Sequence, residues 1–212
     1  MSGLDGSHDF LHIQRVFNLA TRLAQMEENV DVELAKLGAL LHDISDWKYS
    51  GSETAGPEKA RSWLLSQGYD SDRTQKVIEI VEGIGFKNEL ALTREEAAAR
   101  AAANPALAVV QDADRLDAIG AIGIARAFTF GGSKNRALHD PHATENKDTP
   151  LMSKEGYMKR SSGGATLQHF YEKLFHLKDM MKTKAGRQIA EERHAYMQFF
   201  VEQFLAEWDG QR

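Results

Sequence analysis

The sequence predicts an all-α protein whose helices form one domain. Apolar residues recur at helical spacing along most of the chain, as Val16, Ala20 and Leu23 do. Residues that commonly cap helices precede several of these runs, among them Asp70 and Thr93. No alternating apolar and polar stretch typical of a strand exceeds a few residues, and no segment repeats. A chain of 212 residues is long enough to bury its own core.

Boundary residues predict where the helices of the first half begin and end. In chain order, they indicate helices after the polar cap at 7–9, from about Val32 to His42, from Pro57 to Gly68, after the cap at 70–72, and between the Thr93–Glu96 capping box and Asn104–Pro105. The short connection at 29–31 predicts that the first two helices are antiparallel neighbours. Phe86–Lys87 is predicted to be a loop.

The second half is predicted to contain three helical regions and one long loop. The helical regions are a helix that carries 111–117 and continues from Ala118 to Phe128, a helix around His169–Met181, and a helix from about Gly186 to Trp208. Segment 131–164 is rich in glycine and polar residues, and loops of that length are uncommon within a domain. A lid over a substrate and an insertion without a catalytic role are both consistent with this loop.

Composition excludes several classes of function. The apolar and charged fractions, 42% and 27%, are ordinary for a globular protein. A net charge of −5 argues against a general nucleic-acid binder. The chain lacks an apolar run long enough to span a bilayer and an N-terminal signal-peptide pattern, so we expect a cytoplasmic protein without a membrane partner. Without cysteine, a metal would have to be bound by histidine and carboxylate.

The stretch 39–46 places a His-Asp pair at the end of an apolar helix. Leu34, Leu41 and His42 share one helical face, so the imidazole of His42 is predicted to face the core with the Asp43 carboxylate beside it. Buried ionised groups need a hydrogen-bonded cation or a metal ion. A structural histidine with a supporting aspartate is the alternative that spacing alone leaves open.

Two other regions bring polar groups to apolar faces. His12 lies on the inward face of the first helix. Asp112, Asp114 and Asp117 lie on a helix flanked by apolar residues, so they cannot all face solvent.

The chain resembles the HD-domain superfamily of metal-dependent phosphohydrolases. The resemblance lies in an ordered set of motifs, namely His12, the His42–Asp43 pair and the acidic segment 111–120. Together with the motif at 169–174, the sequence is similar to a small bacterial subgroup whose activities include nucleotide pyrophosphohydrolysis. This resemblance spans nearly the whole chain and implies a single HD-domain helical bundle over residues 1–212.

The resemblance also implies a metal site. His12, His42, Asp43 and a later aspartate would bind one divalent ion, and the family pattern Ala-Asp-x-Leu favours Asp114 over Asp112 for that last position. Such a mixed nitrogen and oxygen site suits Mn²⁺, Fe²⁺, Co²⁺ or Zn²⁺ better than Ca²⁺. We expect Mn²⁺, with Fe²⁺, Co²⁺, Ni²⁺, Zn²⁺ and Mg²⁺ as alternatives. The ion would lower the pKa of bound water and thereby supply a nucleophile.

Further residues are assigned roles near the expected phosphate. Asp46 corresponds to an acidic catalytic residue of related enzymes and would act as a general acid or base, with a helix-end cap as the alternative. Cations that would neutralise phosphate oxygens are Arg15 and Lys48 at the catalytic centre and Lys87 and Arg115 at the nucleotide, although each could be a surface charge. His8, Asp9, His169 and Lys173 match the subgroup without an assigned role. Four other histidines are not expected to be ligands, namely His139, His142, His176 and His194.

The resemblance predicts an enzyme that cleaves nucleoside triphosphates to monophosphate and pyrophosphate. A nucleotide phosphomonoesterase and a regulator that binds metal and nucleotide without turnover are the alternatives. The aromatic residues of the last helix also predict a homodimer, because they exceed the apolar surface that one small domain needs to cover. These residues are Phe199, Phe200, Phe204 and Trp208.

Overall fold

A computed structural model of the protein describes residues 10–44, 55–143, 149–151 and 164–212. These residues are mainly helical and include no strand, which confirms the predicted all-α class. They group into two compact units. The first unit comprises the described residues of Leu11–Asp114 together with Lys182–Ala185, and the second comprises Phe10 and the described residues of Arg115–Met181 and Gly186–Arg212.

The helices of the first half begin close to their predicted caps. They are α1 (Phe10–Met26), α2 (Val32–Leu41), α3 (Ala55–Ser66), α4 (Ser71–Gly83), α5 (Phe86–Glu89), α6 (Arg94–Ala103) and α7 (Pro105–Asp117). Asp31 and Asp70 accept the backbone N–H groups of the first turns of α2 and α4, and Thr93 and Glu96 form the predicted capping box. Pro57 lies in the first turn of α3, where its missing N–H is tolerated.

The predicted loop at Phe86–Lys87 is wrong, because these residues begin the single-turn helix α5. Gly85 has an extended backbone, its carbonyl accepts the N–H of Asn88 at 2.9 Å, and the Leu90 N–H bonds to the Phe86 carbonyl at 3.2 Å. A helix of one turn is too short to produce a periodic pattern of apolar side chains, so the sequence pattern did not predict it.

In the first unit, α4 packs against both α2 and α3. The approach of α2 is close at Gly38, where an added Cβ would lie 2.6 Å from Cγ2 of the buried Ile80. On α7, Gln111 donates from its buried side-chain amide to the Gly83 carbonyl at 2.8 Å and so ties α7 to the end of α4. These contacts fix the ends of the helices that carry the candidate site.

The second unit contains α8 (Gly120–Ser133), α9 (Gln168–Glu172), a 3₁₀ helix (Leu174–Met180) and α10 (Lys184–Trp208). The predicted continuation of one helix from 117 into 128 is wrong. Helix α7 ends at Asp117 and α8 begins at Gly120, whose φ is +73°. Gly120 also lies against Arg193, whose Cγ would be 2.9 Å from an added Cβ. The predicted helix around 169–181 is two shorter elements.

Aromatic rings form the interior of the second unit. Phe128 packs against Phe170, Phe200 and Phe204 with ring centroids 5.9–6.1 Å apart. Phe200 and Phe204 therefore contribute to the core of this unit, whereas Phe199 is 62% exposed and Trp208 47% exposed.

The segment predicted as a long loop begins later than predicted, and residues within it bond to the backbone just after its predicted end. Helix α8 extends to Ser133, and the N–H groups of Thr166 and Leu167 bond to the carbonyls of Ala137 and Leu138 at 2.8 and 3.0 Å. Residues 144–148 and 152–163 lie outside the described residues, and the lid remains a prediction. Among the helices that the structure describes, none has the length and apolarity required to cross a membrane.

Candidate metal centre

Two buried imidazoles meet where α1 begins and α2 ends. The Nε2 atoms of His12 and His42 lie 3.3 Å apart, and the rings are inclined by 77°. The Nδ1 atom of His42 lies 2.8 Å from the Ala39 carbonyl oxygen. Because a carbonyl only accepts, Nδ1 of His42 carries the proton, and in the neutral ring its Nε2 presents a lone pair to His12.

Two carboxylates complete the cluster. Asp43 Oδ2 lies 3.7 Å from His12 Nε2 and 3.6 Å from His42 Nε2, and Asp114 Oδ1 lies 3.5 Å from His12 Nε2. The imidazole side chains are almost fully buried, whereas those of Asp43 and Asp114 are 19% and 34% exposed. Among the described residues, His12, His42 and Asp114 form a possible metal-binding group, with ligand atoms within 4.8 Å of one another.

These spacings fit one divalent ion. Bonds of about 2.1 Å to a common ion separate neighbouring ligand atoms by about 3.0–3.4 Å in octahedral or tetrahedral geometry. The four separations of 3.3–3.7 Å given above exceed these values only slightly, and the ligand atoms of His42 and Asp114 lie within 4.8 Å of each other. The bond from His42 to Ala39 also matches the outer contact that usually orients a metal-binding histidine. The donors present therefore fit a bound metal.

Asp112 does not join this cluster, although it lies on the same helix as Asp114. Its fully buried carboxylate accepts the backbone N–H groups of Lys182 at 3.0 and 3.1 Å and of Thr183 at 2.8 Å, together with the Thr183 hydroxyl at 2.7 Å. Sequence reasoning missed this role, because the partners lie 71 residues apart in the chain. The geometry supports Asp114 as the candidate ligand, as the sequence pattern favoured.

Other acidic and basic residues of α7 have partners of their own. Asp117 is buried and pairs with Arg126 at 2.8 Å. Arg115 is 4% exposed, and its guanidinium donates to the Met180 carbonyl at 3.1 Å. The predicted contact between Arg115 and a nucleotide is not tested by this arrangement.

The remaining predicted residues are distributed more widely. Arg15 lies on α1, three residues after His12, and is half-buried. Lys87 lies within α5. Asp46 and Lys48 fall outside the described residues, as do His8 and Asp9. Among the histidines not expected to be ligands, His176 contacts the Thr149 carbonyl through Nε2 at 2.9 Å, and His194 packs against Phe175.

Known proteins resemble this chain over almost its full length. The uncharacterized protein YpgQ of Bacillus subtilis (strain 168) is 34% identical over 203 residues, which cover 96% of this chain and 85% of YpgQ. The crystal structure of YpgQ in complex with ADP aligns with a TM-score of 0.68 at 32% identity, covering 95% of this chain and 89% of that one.

Two other solved structures extend this comparison. A protein from Lactobacillus plantarum aligns with a TM-score of 0.80 at 33% identity, covering 99% of this chain and 91% of that one. An HD-superfamily hydrolase from Bacillus thuringiensis aligns with a TM-score of 0.70 at 37% identity, covering 95% and 87%. The family model for the HD domain matches residues 10–119, the range that includes all four candidate ligands. The chain belongs to the HD-domain family.

Proposed function

We propose that the protein is a metal-dependent phosphohydrolase that cleaves nucleoside triphosphates to monophosphate and pyrophosphate. The observation that carries this proposal is the convergence of His12, His42, Asp43 and Asp114, with the two imidazole Nε2 atoms 3.3 Å apart. Membership of the HD-domain family supports hydrolysis as the reaction class, and the nucleotide is the finer part of the proposal.

The burial of the site residues indicates from which side water and substrate reach the metal. A divalent ion bound here, Mn²⁺ in our proposal, would lower the pKa of a bound water and neutralise charge on a phosphoryl oxygen. The buried His12 and His42 form the inner side, and the Ala39 carbonyl holds the His42 ring in position. Asp43 and Asp114 are partly exposed, so water and phosphate approach on the carboxylate side.

Nucleotide as substrate is supported by the YpgQ complex, because ADP was bound to that relative. We propose that Arg15, Lys48, Lys87 and Arg115 meet the phosphate chain and that Asp46 transfers a proton to or from the attacking water or leaving group. Two alternative functions are tested against this proposal. They are a phosphomonoesterase and a protein that binds metal and nucleotide without turnover.

The experiment combines metal analysis with a nucleotide panel. Purified protein would be assayed for bound metal and then for release of pyrophosphate and phosphate with Mn²⁺, Co²⁺, Ni²⁺ or Mg²⁺. We expect a nucleoside triphosphate to give equal amounts of monophosphate and pyrophosphate. Phosphate release alone would replace the proposal with a phosphomonoesterase, and bound metal and nucleotide without turnover would replace it with a regulator.

Matched variants test the ligand assignment. His42→Ala and Asp43→Ala should abolish metal retention and activity while the helical circular dichroism stays largely intact. His142→Ala, at an exposed position outside the cluster, is the control and should retain both. Unchanged metal stoichiometry in the His42 and Asp43 variants contradicts the site.

We also propose that the protein forms a homodimer through α10. Phe199 is 62% exposed and Tyr196, one turn earlier, is 52% exposed, which leaves apolar surface on this helix. Sedimentation over a range of concentrations should show a dimer that Phe199→Ser weakens. A monomer at all concentrations contradicts this part of the proposal.

A further inference from the structure

Asp112 and Asp114 project from different sides of α7. Two residues correspond to a rotation of about 200° around a helix, so the side that binds Lys182 and Thr183 is nearly opposite the side that meets His12. Asp112 is 0% exposed, and the contacts with both residues involve its carboxylate oxygens. The carboxylate therefore has little freedom to turn away from its partners.

Segment 182–185, which belongs to the first unit, is also held at two other points within that unit. The Lys182 ammonium pairs with both oxygens of Glu89 at 2.7 and 2.9 Å, with side chains only 13% and 10% exposed. The Ala185 N–H donates to Glu27 at 2.7 Å. Because α5 and the end of α1 hold this segment, it provides Asp112 with a fixed set of donors.

The rotation of α7 determines whether Asp114 reaches the metal centre. A carboxylate oxygen lies roughly 6–7 Å from the helix axis, so a rotation of about 20° would move it by about 2 Å. A functional side chain must be held within about 0.5 Å of its working position. A rotation of this size would therefore move Asp114 Oδ1, now 3.5 Å from His12 Nε2, by more than this tolerance.

We propose that Asp112 is a positioning residue for the metal centre. Its contacts with Lys182 and Thr183 fix the rotation of α7 that directs Asp114 towards His12. This inference rests on the proposed metal site, and it assigns segment 182–185 a part in metal affinity although that segment contributes no ligand.

The test measures Mn²⁺ affinity by titration of the purified protein and, separately, thermal unfolding of the metal-free protein. Thr183→Val removes the hydroxyl donor at nearly constant shape, and Thr183→Ser restores it. We expect Thr183→Val to weaken Mn²⁺ binding by about tenfold, the lower end of the range for residues that support metal ligands. Thr183→Ser should regain most of this affinity. Asp112→Asn, in protein that retains native circular dichroism, should lose more Mn²⁺ affinity than Thr183→Val does.

Glu89→Gln is the matched control, because it weakens one of the two anchors of the same segment, leaves the other anchor at Glu27 in place, and changes neither Asp112 nor the groups that donate to it. We expect it to lower the unfolding temperature while Mn²⁺ affinity stays within twofold of the wild type. If Thr183→Val lowers only the unfolding temperature and binds Mn²⁺ as the wild type does, Asp112 is structural and the inference is overturned. If the wild type binds no Mn²⁺, the proposed metal site itself is wrong and the inference fails with it.

Discussion

Gly38→Ala tests whether close packing of α2 on α4 positions the candidate ligands. Gly38 lies one turn before His42, and an added Cβ would lie 2.6 Å from Cγ2 and 3.0 Å from Cδ1 of Ile80. Ordinary carbon–carbon contacts are about 3.5–4.0 Å, so α2 would have to move outward or Ile80 would have to leave its rotamer. Movement of α2 would carry His42 and Asp43 with it.

Two opposing free-energy terms decide how much Gly38→Ala changes the stability of the protein. Alanine is favoured over glycine within a helix by about 1 kcal/mol. Overpacking of a well-packed core destabilises by about 1–3 kcal/mol. Because Ile80 is 0% exposed and cannot turn towards solvent, we expect the second term to prevail and Gly38→Ala to lower the free energy of unfolding by about 1 kcal/mol.

Urea unfolding followed by circular dichroism measures this change, and Mn²⁺ titration measures its effect on the site. Gly132→Ala is the control, because a Cβ added at this position of α8 would have no heavy atom within 4 Å and the φ of Gly132 is not positive. That variant should match the wild type or exceed its stability slightly. Metal affinity should fall in the Gly38 variant and stay unchanged in the control.

A double-mutant cycle isolates the contact between the Cβ added at position 38 and the Ile80 side chain. Ile80→Ala alone should destabilise by about 2–5 kcal/mol, because it leaves a cavity. In the Gly38→Ala background part of that cavity is filled, so the combined loss should be smaller than the sum of the single losses by at least about 0.5 kcal/mol. Additive losses, or a Gly38→Ala variant as stable as the wild type, would refute the packing argument.

Three further predictions concern Asp31, His194 and Asp46. Burial acts to raise the pKa of Asp31, but hydrogen bonds from the Leu34 N–H and Arg73 hold that pKa below its usual value of 3.8, so its stabilisation is present above the unfolded pKa and is lost as the pH falls through the folded value. Asp31→Ala should destabilise by about 1 kcal/mol in urea at neutral pH and Asp31→Asn by less, since asparagine also caps helices; equal losses would contradict the capping role. Burial, with the Lys178 charge, lowers the pKa of His194 despite the opposing effect of Asp179, so the unfolded chain binds more protons and stability falls as the pH drops below the unfolded pKa. His194→Gln should reduce the stability loss between about pH 7 and 5, and an unchanged pH profile would contradict this. Asp46→Asn should retain the metal and lower turnover by about 10²–10⁴-fold, whereas full activity would leave Asp46 as a helix cap.

The helical class and most helix boundaries could be predicted from the amino-acid sequence alone. Asp31, Asp70 and the Thr93–Glu96 pair act on backbone groups only three residues away, so their effect is local and readable from the chain. Helical spacing likewise predicted that His12 and His42 face inward, and both are buried. Family resemblance identified the four residues that the structure brings together, while their binding of a metal remains a prediction.

The position of each aspartate of α7, in contrast, depends on contacts with residues distant in the chain. Asp112, Asp114 and Asp117 belong to one acidic run, yet the first binds Lys182 and Thr183, the second faces His12, and the third pairs with Arg126. Helical spacing shows which side chains share a face but not which distant segment covers that face. A buried carboxylate is retained only where donors meet it, and those donors come from chain segments that folding alone brings near.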